Sequence, residues 1–414
     1  MSQSSKLVTP ILIGGCIILL INFALRASFG VFQIPVQETF GWPRAEFSLA
    51  IAIQNLAWGI GQPIFGALAE RWGDRWAIIL GAVLYALGLV MSTMVSTPGA
   101  MQLWEIAVGF GIAGTGFGVI LAVVGRASSD ENRSLALGIA TAAGSAGQVV
   151  GAPLAEGLMS IMDWQGVFLV FAGIALTMIL FIPLLGSGKP ASHSELEGSM
   201  GSVLGRAFRD PSYLMIFVGF FSCGYQLGFI TAHFPAMITE MCSPIASGSL
   251  LASLGITTTS ALGAWAIAVI GAANIGGAIF AGWLGKCYTK KYLLAVIYTL
   301  RTIAAAAFIL NPITPASVLL FSLVMGALWL ATVPLTSGLV AYIYGLRYMG
   351  TLYGFVFLSH QIGSFMGVWL GGELYDRYHN YTLVWWIGIG VGAFSALIHL
   401  PIREAPARLA PSAA

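Results

Sequence analysis

Few residues in this chain of 414 could do chemistry, and the first of them is a charge in an apolar setting. Arg26 sits a little past the midpoint of an apolar run from Leu7 to about Val36. An arginine at that depth in a bilayer costs about 2.5–3.5 kcal/mol even on a lenient insertion scale. Neighbouring helices offset that cost only by offering the guanidinium water, a partner or a ligand. Ala27-Ser28-Phe29-Gly30 follow directly, and Pro35 disturbs the outer end of the run. A cation beside an adaptable backbone points to a cavity inside a helix bundle, where a guanidinium holds a carboxylate bidentately. The alternative is an arginine locked to the carbonyls of neighbouring helices.

The other candidates are weaker donors and acceptors embedded in apolar runs. Asn55, Gln62, Gln148, Tyr225, Gln226, Asn274 and Gln361 could shape and orient a ligand near mid-membrane. Asn274 could equally bond neighbouring helices. His233, next to Phe234-Pro235, and His360, in Ser359-His360-Gln361, are the candidate proton carriers, because imidazole titrates near neutral pH. The alternative for each is a neutral ring satisfied by hydrogen bonds between helices. His379 and His399 lie near run ends and need no role. Glu105, Glu156 and Glu373 fall toward outer ends and read as solvated vestibule residues. Trp329 and Tyr342 could face an aromatic cargo, although packing is the commoner use of such rings. Cys16, Cys223, Cys242 and Cys287 lack metal-ligand spacing, so neither zinc nor disulfides are expected. No nucleophile–base set stands out, which disfavours an enzyme, and no cofactor is implied.

These residues must be positioned by helices in lipid. With 58% hydrophobic and 8% charged residues and a mean hydropathy of +0.88, the composition excludes a soluble globular domain. Hydropathy and turn residues place spans at 8–36, 46–69, 76–96, 101–125, 135–160 and 165–185. A second set runs 212–238, 260–284, 291–310, 315–343, 351–374 and 380–401. The fold class is therefore an all-α polytopic membrane protein of twelve transmembrane helices in two six-helix halves. Residues 1–185 form the first half, the polar stretch 186–211 a linker, and 212–414 the second half. The N-terminus reads as a retained first helix rather than a signal peptide.

The cations set the topology. A cytoplasmic N-terminus puts Lys6, Arg71, Arg75, Arg126, Arg133, Lys189, Arg206 and Arg209 inside. Lys286, Lys290, Lys291, Arg347, Arg403 and Arg408 join them, leaving only Arg44 and Arg377 outside. This positive-inside bias places both termini in the cytoplasm of a multi-pass plasma (inner) membrane protein. Net charge, at a formal +2, gives no reason to expect nucleic acid. Glycine runs at Gly109–Gly118 and Gly271–Gly277 suit close helix packing.

The junctions repeat. Gly66-Ala-Leu-Ala-Glu70-Arg71-Trp-Gly73-Asp74-Arg75 joins spans two and three, and Gly282-Trp-Leu-Gly-Lys286-Cys-Tyr-Thr-Lys290-Lys291 joins spans eight and nine. The first resembles the loop signature of the major facilitator superfamily, with Glu70 in place of the usual aspartate. Gly66 would allow close helix approach and Gly73 a tight turn, while Glu70 could pair with arginines or a helix N-terminus at a cytoplasmic gate. In the second copy Lys286 stands at the acid's place. Gly125-Arg126, with Arg133-Ser-Leu-Ala-Leu-Gly138 and the small residues to Gly147, is similar to the span four to five junction of monocarboxylate transporters. Asp163-Trp164-Gln165-Gly166-Val-Phe168 and Gly371-Gly372-Glu-Leu-Tyr-Asp376, followed by Tyr381, resemble that family's entry to span six and exit from span eleven. Gln165 departs from the family's basic residue.

The resemblance implies a secondary transporter that moves a small organic anion, a monocarboxylate, by alternating access, with a proton as the possible co-substrate. Arg26 matches the family's basic position in span one. Arg301, in span nine, falls on a helix that is peripheral in the superfamily, which implies a structural cation bonded to span seven, eight or eleven. Where the family has its span-eight acid and arginine, this chain has Asn274 and Ala278, which weakens both acid–arginine coupling and lactate as cargo. The expected partners are the anion, a proton and the lipid bilayer, with the chain working as a monomer. The competing readings are an exporter of amphipathic or drug-like compounds within the same superfamily, a polytopic enzyme and a non-transporting sensor.

Overall fold

A computed structural model describes residues 7–159, 161–186 and 199–406, and among these every regular element is helical. Lys6, Lys189 and Arg408 lie outside the described residues. Span one is α1 (Pro10–Ala27), a 3-10 turn (Phe29–Phe32) and α2 (Gln33–Phe40). Spans two and three are α3 (Arg44–Trp72) and α4 (Asp74–Ser92). Span four is α5 (Pro98–Thr115) with α6 (Phe117–Ala127), span five is α7 (Arg133–Met159), and span six is α8 (Trp164–Thr177) with a 3-10 extension to Leu185. A short helix, α9 (Met200–Ala207), precedes span seven, α10 (Pro211–Met241). After α11 (Leu250–Ser253) come spans eight and nine, α12 (Thr259–Cys287) and α13 (Lys290–Ile309). Span ten is α14 (Pro315–Leu328) with α15 (Thr332–Tyr344), span eleven is α16 (Met349–Tyr378) and span twelve is α17 (Thr382–His399).

Several starts were written locally. Thr9-Pro10, Thr97-Pro98, Asp210-Pro211 and Thr314-Pro315 each pair a capping oxygen with a proline that needs no N–H partner. Ten helices or helix pairs are long and apolar enough to cross a membrane. The two remaining spans, α3 and α16, carry the polar residues Gln54, Asn55, Gln62, Ser359, His360 and Gln361, all buried. They escape lipid by packing on each other, so a low hydropathy here marks the interior of the bundle.

Twelve crossings put the first and last described residues on one face, the terminal face; the other is the distal face. At the terminal face the two six-helix halves meet with almost no space. A Cβ on Gly66 of α3 would lie 2.6 Å from the Gly350 carbonyl carbon, and one on Gly354 would lie 2.7 Å from the Pro63 nitrogen. α7 and α12 meet in the same way, a Cβ on Gly282 falling 3.0 Å from the Gly138 Cα. Toward the distal face the fit loosens: a Cβ on Gly372 would be 3.8 Å from the nearest Ser48 atom. The bundle is therefore shut at the terminal face and slack at the other.

Side chains cross the shut end as well: Lys286 of α12 reaches Glu131 of the opposite half at 3.4 Å, and Glu70 reaches α16. Glu70 accepts from the Thr351 backbone N–H at 3.1 Å and from its hydroxyl, so it caps the first turn of α16 from the opposite half. An unpaired N–H there would cost about 1–3 kcal/mol. Glu70→Ala should therefore lower the unfolding temperature in detergent by several degrees, and Glu70→Gln, which keeps one acceptor, by less. Equal melting of all three proteins would show that the contact carries no weight.

Candidate functional site

The slack on the distal side opens into a narrow cleft of about 30 Å³, walled by spans one, two, seven and eleven. Arg26 stands at its base because α1 ends there. The chain leaves α-helix at Ser28, whose hydroxyl folds back to the Ala24 carbonyl at 2.9 Å, and the looser 3-10 turn widens the path around Gly30. Nη2 of Arg26 donates to Oδ1 of Asn55 at 3.3 Å. Asn55 is fixed in that sense by its own amide, which donates to the Ile51 carbonyl at 2.9 Å. The guanidinium lies over Trp58, 4.8 Å from the ring centroid, while Nε has no hydrogen-bond partner. Among the described residues no carboxylate lies within ion-pair reach of it. Thr231, Ala232 and Val368 close the cleft from the second half, and Gln33, Ser48 and Gln54 add polar groups from the first.

Below Arg26 an aromatic floor separates the cleft from the terminal face. Trp58 packs on Phe357 at 4.8 Å, and Phe357 stacks on His360 at 4.9 Å, so one half supplies the first ring and the other half the next two.

The structure brings Arg26 and Asn55 together and sends most other candidates elsewhere. Tyr225 donates to the Val384 carbonyl at 3.1 Å and Gln226 to that of Gly388 at 3.0 Å, so both face span twelve and not the cleft. Gln148 is buried where α7 meets α12. Asn274 donates to Ser145 at 2.6 Å and accepts from the Leu330 N–H at 2.9 Å, tying spans five, eight and ten. Gln361 is buried against Gly59 in the contact between α3 and α16. His233 bonds the Val368 carbonyl at 2.8 Å and packs beside Tyr381, and His360 is enclosed by Phe220 and Phe357. None of these lines the cleft.

Arg301 is completely buried and reaches across to span seven and to the break of span ten, donating to Cys223 Sγ at 3.2 Å and to the Trp329 carbonyl at 3.4 Å. In the loop after span two, Gly73 takes a φ of 102°, Arg75 bonds the Gly186 carbonyl at 3.3 Å, and Arg71 is exposed beside Trp72. The ion pair of this junction falls on its neighbour, Asp74 with Arg126 at 2.6 Å. Trp329 is buried at the span-ten break, Tyr342 is half exposed, and Glu373 is exposed as a vestibule residue should be.

Two arrangements escaped the sequence reading. Glu105 is not a solvated vestibule residue: it is completely buried and accepts from Gln54 at 2.6 Å. Gln62 takes the N–H of Gly118 at 2.8 Å and gives to the Ala113 carbonyl at 2.8 Å, bridging the break of span four. The only advance signal for either was a polar residue at helical spacing in span two.

Comparison with known proteins agrees with this architecture. Residues 15–264 match the family described as the Major Facilitator Superfamily. An uncharacterized MFS-type transporter of Bacillus subtilis, YcxA, is 25% identical over 91% of this chain and 90% of its own. Monocarboxylate transporter 13 of Bos taurus is 25% identical over 87% of this chain and 81% of its own. Among solved structures, the transporter FucP in its outward conformation superposes with a TM-score of 0.67 at 16% identity, over 94% of this chain and 97% of that one. With twelve helices around a cleft, a matching family over more than half its length and relatives that are transporters, the chain belongs to the Major Facilitator Superfamily and is a transporter, not an enzyme.

Proposed function

We propose that the protein carries a small organic anion, a monocarboxylate, across the plasma membrane by alternating access, with Arg26 as the group that holds the carboxylate. The observation that carries this reading is a guanidinium at the base of a cleft between the two halves whose hydrogen-bond partner among the described residues is one neutral amide. A cation in that setting attracts an anion strongly, since competing water is scarce. Asn55 would orient the fork, and Trp58 would support its face. The relative named as a monocarboxylate transporter is consistent with cargo of this charge.

The distal face is then the outer one and the terminal face cytoplasmic, a reading the distribution of lysine and arginine supports. Cargo enters the cleft from outside while Glu70 and Thr351 hold the cytoplasmic end shut.

A thermal-stability screen of the purified protein against carboxylates, neutral hydrophobes and organic cations tests the proposal. One or more monocarboxylates should stabilise the wild type. Arg26→Ala should abolish that stabilisation and reduce uptake into proteoliposomes by about 100-fold, the loss of a charge-assisted contact in a dry site, while the protein stays folded. Arg26→Lys should retain part of it, keeping the charge but not the fork. Asn55→Ala should weaken binding by about tenfold, the value of one hydrogen bond to a charged group. Stabilisation by neutral or cationic hydrophobes alone would replace this reading with that of an exporter.

A further inference from the structure

We propose that the backbone carbonyl of Thr231 is a specificity-determining acceptor of this cleft. It takes a hydrogen bond from the cargo, so that an acid with a hydroxyl beside its carboxylate is held over the same acid without one. This rests on the reading of Arg26 as the anion site and adds a contact from the opposite half. Thr231 lies in span seven, and Pro235 follows four residues later inside the same helix. An α-helical carbonyl accepts from the N–H four residues on; proline has none to give, and its ring pushes that carbonyl aside. The sequence itself thus deprives the Thr231 carbonyl of its helical partner.

That carbonyl faces the cleft. Gly30, in the 3-10 turn of span one, stands opposite it: a Cβ on Gly30 would lie 3.5 Å from the Thr231 oxygen. Both residues line the same cleft as Arg26. Span seven turns Gly228, Thr231 and Ala232 to this wall, so no bulky side chain screens its backbone. Gly228 is small because α16 passes close behind it, where a Cβ would fall 2.6 Å from the Ser364 carbonyl oxygen. One turn beyond the proline, Thr239 gives its hydroxyl to the Pro235 carbonyl at 2.9 Å. Among the described residues no side chain donates to the Thr231 carbonyl.

A carbonyl that has lost its helical bond needs a donor, and in this cleft the donor is water or cargo. At about 30 Å³ the cleft holds roughly two water-sized groups. Cargo seated on Arg26 therefore reaches Thr231 only through atoms close to its carboxylate. A hydroxyl on the adjacent carbon offers an O–H to the carbonyl oxygen. An oxo group in the same place sets one acceptor against another, and the displaced water is not replaced. Arg26 belongs to the first half and Thr231 to the second, so a hydroxy acid bonds both walls at once.

Calorimetric titration of the purified protein with lactate, pyruvate and 2-fluoropropanoate, and with mandelate and phenylglyoxylate, reads this contact. The hydroxy acid of each set should bind about five- to tenfold tighter than its oxo counterpart, the value of one hydrogen bond. The fluoro acid, close to lactate in shape but without its donor, should bind as weakly as pyruvate. Pro235→Ala returns an N–H to the Thr231 carbonyl. It should lose most of the preference while keeping wild-type affinity for the oxo acids. A wild type that binds hydroxy and oxo acids alike overturns the proposal and leaves the Arg26 site standing, as does Pro235→Ala with its preference intact. Should Pro235→Ala not fold, the fluoro acid decides: affinity equal to that for lactate refutes the contact. If no acid of either set binds, the anion site itself is wrong and this inference falls with it.

Discussion

Inside a bilayer no water waits to bond a peptide group that loses its helical partner, and that constraint organises this protein. Three spans are interrupted within the membrane: span one after Ala27, span four at Gly116 and span ten between Leu328 and Thr332. Each interruption frees N–H and C=O groups. Gln62, from span two, bridges the break in span four, and Asn274, from span eight, caps the break in span ten. Spans two and eight hold the same place in their halves, so an amide on the second helix of each set completes the fourth. Much of the buried polarity is therefore scaffold, and what remains unused around the cleft is what is free to meet a ligand.

The same scarcity of partners separates the two buried arginines. Arg301 is enclosed, with a thiol and a freed carbonyl at the span-ten break accepting from one of its nitrogens and the Tyr298 ring beside it. It is completely buried and lies apart from the cleft that Arg26 lines, with Nε and Nη2 unpartnered. Arg26 has one weak amide contact at 3.3 Å, a ring face and open space. Two arginines of equal cost on an insertion scale thus differ in what surrounds them, which is a property of the packed bundle.

That difference explains what could be read before folding. Each span and the paired junctions followed from hydropathy and turn residues, since lipid imposes length and composition on a helix wherever it lies. Arg26 stood out for the same reason. Tyr225 and Gln226 did not reveal that they face span twelve, because in a helix buried on several sides no apolar stripe identifies the cleft. Glu105 was misread because depth was judged from distance to the end of its run, whereas its burial depends on Gln54 from another helix. The adaptable stretch Ala27–Gly30 did mark the break in span one, but those in spans four and ten were hidden: neither contains a proline, and Gly116 sits within a glycine run that reads as packing alone.

The closed end explains why cargo could move the equilibrium between two forms. Its seal includes glycine-lined backbone contacts, one carboxylate cap, the exposed Lys286–Glu131 ion pair and an aromatic floor, all between halves and none covalent. Trp58 belongs to both seal and site: its ring supports the Arg26 guanidinium at 4.8 Å and packs on Phe357 of the opposite half at 4.8 Å. A cation over a desolvated ring is worth up to about 2 kcal/mol. An anion that neutralised Arg26 would change the field on that ring, and so would act unequally on the form in which Trp58 meets Phe357 and on one in which they part. Only such unequal action can shift a conformational equilibrium. A neutral compound occupying the same space would leave the guanidinium on its ring and the floor in place.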